Sequence, residues 1–301
     1  MLTFSLNPVP AAQEPVFYAI PFFIITMLLE LWVSYRQQLE LYEPADAWSS
    51  IGMGLGSLLV NTMMKAVAFM VYTLLFSYAL FPEISFTWPG WILILFADDF
   101  TFYWHHRFSH EIRLFWAAHV NHHSSVTLNL ATALRQSWTE LLYKYIWWCW
   151  LPLMGFHPVM ILMMMSISLI YQYWPHTELI HKMPRWFEFL FNTPSHHRVH
   201  HASNVKYLDR NHGGILIIWD RLFGTFTEED AEKPVYGITQ NIQSHNLFHI
   251  AFHEYRSLVA DMRRAASWKD KLRYLYMPPG WSHDGEDRRA KTLRQNAGIR
   301  S

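Results

Sequence analysis

Long apolar runs, broken by short polar stretches, occupy most of the first 174 residues. Val16–Ser34 holds one charged residue, Glu30, and Ile51–Phe81 also holds one, Lys65. About 20 apolar residues cross a bilayer as a helix. Both runs therefore predict membrane-spanning helices, and the second predicts either one tilted span or two shorter helices broken between residues 61 and 65.

Three shorter apolar runs follow: Trp91–Trp104, Leu141–Phe156 and Val159–Trp174. The last two are separated by the segment 155–158, which begins with Gly and ends with Pro. Because Gly and Pro interrupt helices, these two runs predict a helical hairpin. Trp residues concentrate near the ends of the runs, as in the aromatic belts of membrane proteins.

The apolar runs also predict which side of the membrane the polar segments occupy. If Arg36 is cytoplasmic, the second run crosses outward, the third returns near Trp104, and the hairpin crosses out and back. All the histidine clusters described below then lie on the cytoplasmic side with many Lys and Arg residues, as the positive-inside rule requires. We therefore predict an all-α, multi-pass transmembrane helical bundle with a cytosolic His-rich helical cap.

The chain divides into three parts by composition. Residues 1–90 are predicted to be N-terminal transmembrane helices, and residues 91–226 hold the histidine clusters. Residues 227–301 form a polar C-terminal region, with a predicted interfacial helix at Trp268–Tyr276 and a predicted disordered tail from Ser282 onward.

One pattern, His-x-x-His-His, occurs twice, as His119–His123 and as His197–His201. On a helix, positions i, i+3 and i+4 lie on one face, so each copy is expected to present its three imidazoles to one point. Imidazole is the commonest metal ligand and suits iron, zinc, copper and nickel. Two copies of the motif therefore predict more than one metal ion.

Two more histidines, His106 and His110, stand at i and i+4 just after the third apolar run. Asp99 lies inside that run, where a carboxylate is costly and is therefore a functional candidate. Asp99 and His106 are seven residues apart and share a helical face. We expect Asp99 to accept a hydrogen bond from the His106 imidazole and so to fix its tautomer.

Two single histidines lie beside these clusters. His176 follows the fifth apolar run and is expected to complete a metal site. His196 directly precedes the second motif, either as a further ligand or as a hydrogen-bonding neighbour. Pro194 and Ser195 predict a helix start with Ser195 as the N-cap, so the second motif is expected in the first turns of a helix.

Composition excludes several other kinds of site. The formal net charge is zero, so the chain lacks the excess positive charge that is typical of nucleic-acid-binding proteins. Its one cysteine, Cys149, rules out a multi-thiolate metal site. No Gly-rich dinucleotide loop or haem-binding segment is present, so a redox activity would need an external electron donor.

The segments Asp99–His123 and Thr193–His201 closely resemble the fatty acid hydroxylase/sterol desaturase superfamily of integral-membrane, histidine-ligated di-iron oxygenases. Three further stretches, Asn129–Gln136, Tyr207–Phe226 and Pro278–Trp281, look like its alkylglycerol monooxygenase branch. The resemblance spans roughly residues 90–285. It identifies residues 91–226 as a fatty acid hydroxylase-type di-iron domain.

The resemblance implies an oxidoreductase with two iron ions that uses O2 to hydroxylate or desaturate a C–H bond of a lipid taken from the bilayer. It implies tetrahydrobiopterin or another external reductant as electron donor. Glu111 matches a glutamate that the alkylglycerol branch needs for activity, and Asp99 is the second catalytic candidate. His212 departs from the family, which usually has Tyr there. The implied metal ligands are His106, His110, His119, His122, His123, His176, His196, His197, His200 and His201.

Several alternatives stay open at this point. A sterol- or carotenoid-type desaturase or hydroxylase would share the same motifs. A zinc or iron transporter would also combine histidines with membrane helices, but its ligands are expected near mid-bilayer. A structural zinc site would keep the fold without redox chemistry. Both an endoplasmic reticulum membrane and a bacterial inner membrane fit the sequence.

Overall fold

The computed structural model describes residues 15–299, and within them helices joined by irregular segments make up the fold. Extended pairing in these residues is limited to two isolated bridges, Phe191 with Leu216 and Ala202 with Tyr236. The predicted all-α class is therefore confirmed. Residues 1–14 of the predicted N-terminal part and residues 300–301 of the predicted tail lie outside the described residues.

Two long apolar helices, α1 (Pro15–Gln37) and α2 (Pro44–Phe76), are long enough to cross a membrane. Only 6% of the most apolar part of α1 and 11% of that of α2 is buried inside the protein. The core helix of a water-soluble protein would be mostly buried, so these exposed apolar faces indicate a membrane protein.

The second apolar run forms one uninterrupted helix. Helix α2 has 33 residues, which at 1.5 Å per residue is about 50 Å, well beyond the roughly 30 Å hydrocarbon core of a bilayer. The alternative of two helices broken between residues 61 and 65 is wrong. The helix begins earlier than predicted, because the Glu43 carboxylate caps it by accepting from the backbone N–H groups of Ala45 and Asp46.

The third run belongs to α3 (Trp88–Glu111), which Thr87 caps by accepting from the Gly90 N–H at 3.1 Å. Helix α3 continues past the apolar run, so it carries His106 and His110 beyond it. One extended residue, Ile112, then turns the chain into α4 (Arg113–His123). The first His-x-x-His-His motif therefore packs back against the end of α3.

The predicted hairpin has only one continuous arm. Leu141–Phe156 is split into α5 (Leu141–Lys144), a 3-10 turn over Tyr145–Trp148, and α6 (Trp150–Met154). A proline within α6 lacks the N–H needed to continue the helical hydrogen bonds. The second arm, α7 (Pro158–Tyr173), is continuous and packs against α1, α2 and α3.

The second motif lies on a short helix, α9 (Pro194–His200), which follows α8 (Arg185–Leu190). Thr193, not Ser195, occupies the N-cap position, because Pro194 takes the first helical position, where a missing N–H is harmless. The Ser195 hydroxyl instead donates to Glu188 at 2.7 Å. The predicted cap is therefore wrong by two residues, although the predicted helix is present.

Four further helices complete the described chain. Helix α10 (Ile218–Phe223) is short, and α11 (Leu247–Arg264) and α12 (Trp268–Tyr276) pack on α4. The predicted disordered tail instead contains α13 (Ala290–Asn296). This helix is held because the Arg294 guanidinium donates to the carbonyl of Leu208 at 2.6 Å.

Candidate metal centre

Nine buried histidines form two adjoining groups. In each group, every residue offers one ring nitrogen within 4.8 Å of those of the others. The groups touch, since the ring centroids of His123 and His201, one from each group, are 4.5 Å apart. The five-histidine group is His106, His110, His119, His123 and His200, and the four-histidine group is His122, His176, His197 and His201.

Each His-x-x-His-His motif divides between the two groups, contrary to the expectation that its three imidazoles meet at one point. On α4, His119 and His123 enter the five-histidine group, whereas His122 enters the other. The split has a simple geometric cause. Neighbouring residues on a helix point about 100° apart, so two consecutive histidines such as His122 and His123 face two different points.

The motif on α9 divides in the opposite sense. His197 and His201 enter the four-histidine group, and His200 enters the five-histidine group. Each group therefore combines ligands from both motifs, and each is closed only when α4 and α9 lie side by side. His106 and His110 from α3 complete one group. His176, just after α7, completes the other.

The ring nitrogens within a group are spaced as ligands of one metal ion. Nε2 atoms lie 3.1 Å apart between His106 and His119, and 2.9 Å apart between His197 and His176. Two nitrogens that each lie about 2.1 Å from one ion are about 3.0 Å apart at a right angle and about 3.4 Å apart at the tetrahedral angle. Nε2 of His110 and of His200 are buried without a hydrogen-bond partner among the described residues. The residues therefore fit bound metal.

The hydrogen bonds of Nδ1 show which nitrogen of each imidazole carries the proton. Nδ1 of His122 lies 3.3 Å from the carbonyl oxygen of Arg135, and Nδ1 of His176 lies 2.9 Å from that of Gln172. A carbonyl only accepts, so both Nδ1 atoms carry the proton. The two Nε2 atoms, 3.2 Å apart, then face each other with lone pairs. Such a contact is repulsive unless a cation binds between them.

The pKa values of these histidines also favour the neutral imidazole. Burial, with smaller contributions from nearby imidazoles, lowers the pKa of His200 to about 3. Burial likewise lowers the pKa of His176 to about 4. These imidazoles are therefore neutral near pH 7, which is the form that binds a metal ion.

Glu140 is an important residue that sequence reasoning missed. Its carboxylate accepts from Nδ1 of His119 at 3.0 Å and lies 3.6 Å from Nε2 of His105. Burial alone would raise the pKa of Glu140, but the contacts with His119 and His105 outweigh burial and hold it well below its usual value. The only sequence signal was a lone carboxylate at the start of the fourth apolar run.

Asp99 does not contact His106. It accepts instead from the backbone N–H groups of Ile215 and Leu216 at 2.7 and 3.0 Å, and from the Trp219 indole at 2.9 Å. Nδ1 of His106 lies 2.8 Å from the carbonyl oxygen of residue 212. The expected contact is absent because a distant loop supplies the partner of each residue.

His196 and Glu111 also stay outside both groups. Nε2 of His196 lies 3.2 Å from the Glu188 carboxylate, and His196 belongs to neither histidine group. Glu111 forms an ion pair with Arg107 at 2.8 Å, and its side chain is 37% exposed. Of the predicted ligands, His196 is therefore the one that the structure does not bring to the centre.

A hydrogen-bond chain links the Glu111–Arg107 pair to the five-histidine group. Arg107 donates to the Tyr103 hydroxyl at 3.2 Å, which lies 2.9 Å from the hydroxyl of Thr225. Thr225 donates to Asp220 at 2.6 Å. Asp220 accepts from two successive backbone N–H groups of the loop whose carbonyl contacts His106, and burial raises the pKa of this aspartate to about 6.

An apolar cavity of about 380 Å³ lies against one side of the centre. Its walls come from α1, through residues such as Phe23 and Met27, and from α2, through residues such as Leu55 and Leu58. Ligand histidines from both groups line it, so the space between the two candidate membrane helices leads to the metal-binding atoms. The ligands lining it are His106, His119, His122, His176 and His197.

A second, polar cavity of about 720 Å³ is lined by other histidines of both groups: His110, His123, His200 and His201. Arg113, Asp209, Glu254 and Asp261 also line it, and Trp116 and Trp281 contribute aromatic surface. The C-terminal helices α11 and α12 stand on this side of α4. The centre therefore borders an apolar space and a polar space through different ligands.

Comparison with known proteins agrees with this arrangement. Residues 91–225 match the family model of Fatty acid hydroxylase, an iron-dependent family. The chain is 38% identical over 271 residues to the alkylglycerol monooxygenase of Homo sapiens, which covers 87% of this chain and 59% of that protein. Over 281 residues it is 36% identical to the alkylglycerol monooxygenase of Danio rerio, covering 92% of this chain and 62% of that protein.

A more distant relative is the ornithine lipid hydroxylase OlsE of Rhizobium tropici, 29% identical over 136 residues, or 45% of this chain and 41% of that protein. No solved structure matches the chain. The chain spans about three fifths of the length of the alkylglycerol monooxygenases named above. It carries a fatty acid hydroxylase domain at residues 91–225 and is related to the alkylglycerol monooxygenases.

Proposed function

We propose that this protein is a membrane-bound di-iron monooxygenase that hydroxylates a C–H bond of a lipid, with alkylglycerol ether lipids as the substrate class. The observation that carries the proposal is the pair of buried histidine groups between an apolar and a polar cavity. Similarity to alkylglycerol monooxygenases supports the substrate class. One iron ion would be held by each group.

The proposed reaction joins one oxygen atom of O2 to the lipid carbon and reduces the other to water, with two electrons and two protons from an external donor. Iron, when bound, supplies O2 activation and C–H oxidation. The protein supplies neutral imidazoles in fixed tautomers, with Nδ1 of His106 and of His200 held by backbone carbonyls. It also excludes water from the apolar side of the centre.

The lipid chain is proposed to enter the apolar cavity between α1 and α2. Both helices expose apolar faces outward, so an acyl or alkyl chain in a bilayer reaches this cavity without crossing water. Polar groups near the ligands, among them Gln172 and Lys144, offer hydrogen bonds to a lipid headgroup or ether oxygen. The carbon next to that oxygen would then lie against the histidines.

The reductant is proposed to bind on the other side, in the polar cavity. Tetrahydrobiopterin or a similar tetrahydropterin is the electron donor expected for an alkylglycerol monooxygenase-type enzyme. Trp116 and Trp281 provide surfaces for a flat ring, and Glu254 and Asp261 provide acceptors for its N–H groups. Lipid and reductant would thus reach one centre from separate cavities.

Three predicted site residues act in this proposal without contacting metal. Glu111, through Arg107 and the hydrogen-bond chain behind it, is a positioning residue for the loop that holds His106. Asp99 positions the same loop from its other end by binding the N–H groups of Ile215 and Leu216. His196 is proposed to fix the start of α9 through Glu188.

The proposal includes a multi-pass topology in which α3 and α7 also cross the bilayer, with the histidine groups on the cytoplasmic side. Apolar α7 and the apolar first half of α3 support it. So does the clustering of all nine ligands at one end of these helices. The host membrane would be a bacterial inner membrane or the endoplasmic reticulum.

The first test is metal content with matched histidine variants in detergent-purified protein. We expect about two iron ions per wild-type chain, and about one fewer in His122→Ala and in His200→Ala, because each variant removes a ligand from a different group. Both variants should lose lipid hydroxylation. His181→Ala, which changes an exposed histidine outside both groups, should retain metal and activity.

Near-normal iron content and turnover in both histidine variants would contradict the proposal. Zinc that iron cannot replace, with no O2 uptake after reconstitution, would favour a structural zinc site. Metal flux in vesicles would favour a transporter. An unsaturated product in place of a hydroxylated one would favour a desaturase of the sterol or carotenoid type.

A further inference from the structure

His212 is a further buried imidazole beside the centre, outside both groups. Its side chain has no exposed surface. Neither ring nitrogen has a hydrogen-bond partner among the residues that the structure describes. The ring centroid lies 5.0 Å from that of His110, 5.7 Å from that of His106 and 5.8 Å from that of His200. All three neighbours belong to the five-histidine group.

The backbone holds this ring in place. The N–H of His212 donates to Asp220 at 2.7 Å, and its carbonyl accepts from Nδ1 of His106 at 2.8 Å. The preceding residue, Asn211, donates from its side-chain amide to the carbonyls of His196 and Thr227 at 3.0 and 2.8 Å. These contacts fix the backbone of residue 212 beside the five-histidine group.

The spacing separates His212 from the ligands. Centroids of neighbouring rings within the five-histidine group lie 4.5 to 5.3 Å apart, whereas two of the three distances to His212 are longer. No nitrogen of His212 lies within 4.8 Å of all the others. The ring is therefore close enough to contact a small molecule bound among the five histidines, but it is set back from the ligand positions.

We propose that His212 hydrogen-bonds a water molecule or small anion bound within the five-histidine group. A buried imidazole without a partner is costly, and a group bound at the centre would supply the missing partner. The inference rests on metal binding by the five-histidine group. It makes His212 a binding residue for an exogenous group at that metal, a role that an aliphatic or phenyl side chain cannot fill.

The test uses azide as the probe on full-length, metal-loaded protein in detergent. Azide binding is followed by its charge-transfer absorption with iron(III), and metal content is measured on the same samples. In His212→Phe and the smaller His212→Leu, we expect unchanged metal content and a Kd for azide raised about tenfold, as for one lost hydrogen bond to a charged group. His212→Gln, which keeps a donor, should recover most of this affinity. His181→Phe, on the exposed surface, is the matched control.

Three outcomes overturn the inference, and they separate it from the proposed function. One metal ion fewer per chain in His212→Phe and His212→Leu would make His212 a direct ligand. An azide Kd equal to that of the wild type in both variants would make it a packing residue. A wild-type protein that holds no metal in the five-histidine group would overturn the proposed function and this inference together.

Discussion

The two ring nitrogens of the nine clustered histidines differ in their surroundings. Nε2 faces the centre, and in most of them Nδ1 meets a carbonyl or carboxylate that fixes the tautomer. Most of these partners are backbone oxygens, which point mutation cannot remove. Two side-chain carboxylates are exceptions: Asp209 lies 3.4 Å from Nδ1 of His110, and Glu140 makes the closer contact, 3.0 Å from Nδ1 of His119. Glu140 therefore offers a direct way to test how much the outer contact contributes.

We predict that Glu140→Ala weakens metal binding by about 10- to 100-fold, the range found when the outer partner of a ligand histidine is removed. The cause is that Nδ1 of His119 loses its acceptor and the ring loses its fixed orientation. Glu140→Gln, which keeps an oxygen acceptor, should lie between Ala and wild type. Competition with a chelator of known affinity measures the change.

Glu83→Ala, at an exposed glutamate far from the histidines in sequence, controls for purification losses. If Glu140→Ala retained wild-type metal affinity, the outer contact would have no part in ligand orientation. A fall in thermal stability without a fall in metal affinity would assign Glu140 a purely structural role.

At this scale, the sequence predicted which histidines lie together better than it predicted the hydrogen-bond partners of the site residues. Nine of the ten predicted ligands lie in the two groups, since spacing on a helix is a local property. The partners of Asp99 and His106 come instead from the loop at residues 212–216, more than a hundred residues away along the chain. No local pattern contains that information. The partner of His196 is much nearer along the chain, since Glu188 lies on the preceding helix α8, but the His-x-x-His-His spacing does not reveal that contact either.

Among the helices, α1 and α2 do more than anchor the chain, since they form the walls of the apolar cavity. Consecutive residues of α1 point to opposite environments. Met27 lines the cavity, whereas the side chain of Leu28 is 56% exposed on the outer face. This pair permits the same substitution to be made inside and outside the proposed lipid site.

We predict that Met27→Trp lowers kcat/KM for a long-chain ether lipid by at least about tenfold, because the indole fills space that the chain needs. Metal content should not change, since α1 supplies none of the ligands. Leu28→Trp should behave like the wild type. Steady-state kinetics with substrates of increasing chain length provide the measurement, and the loss should grow with chain length.

Equal kinetics for Met27→Trp and Leu28→Trp would exclude the apolar cavity as the lipid site. A loss of metal in Met27→Trp would instead indicate damage to the centre, and its kinetics would then carry no information about the lipid.

Sequence patterns predicted the presence of helices more reliably than their continuity. The apolar run Leu141–Phe156 looked like a full span, but it consists of three short pieces. An apolar run indicates that a segment is buried or faces lipid. It does not show whether the backbone of that segment forms one helix or several short ones. The break allows the segment to lie across α2 and α3, where Trp148 donates to Asp98 at 2.7 Å.

At the scale of the whole molecule, the centre lies between two cavities of opposite character. All nine clustered histidines lie within residues 91–225, the region that matches the fatty acid hydroxylase family, but the polar cavity also needs residues beyond position 225, such as Ser257 on α11. Ser257 accepts from Arg113 at 3.1 Å at the edge of this cavity. The C-terminal region is therefore expected to control the reductant and to leave the lipid unaffected.

We predict that Ser257→Trp raises KM for a tetrahydropterin by about tenfold and leaves KM for the lipid unchanged, because the indole occupies only the polar cavity. Ser257→Ala tests loss of the hydroxyl without added bulk and should change neither KM appreciably. Arg256→Trp places the same indole on an exposed neighbour outside the cavity. Parallel titrations of the two substrates separate the effects.

A parallel rise in both KM values would contradict separate entry of lipid and reductant. A wild-type KM for the pterin in Ser257→Trp would remove the polar cavity as the reductant site.

The sequence-based topology required all histidine clusters to meet at one end of the helices. The structure brings nine of these histidines together, whereas the membrane side on which they lie is still a prediction. The two cavities could not be predicted, because each is bounded by residues from distant parts of the chain. The contribution of α11 to the wall of the polar cavity could not be predicted for the same reason.

The division of both motifs between the two groups has a consequence for how the protein matures. During synthesis, α3 and α4 leave the ribosome well before α9, yet neither group is complete without histidines from α9. A metal ion that arrives early finds only part of each ligand set. Completion of either histidine group is thus a late step in biogenesis, after the helix that carries the last histidines has docked.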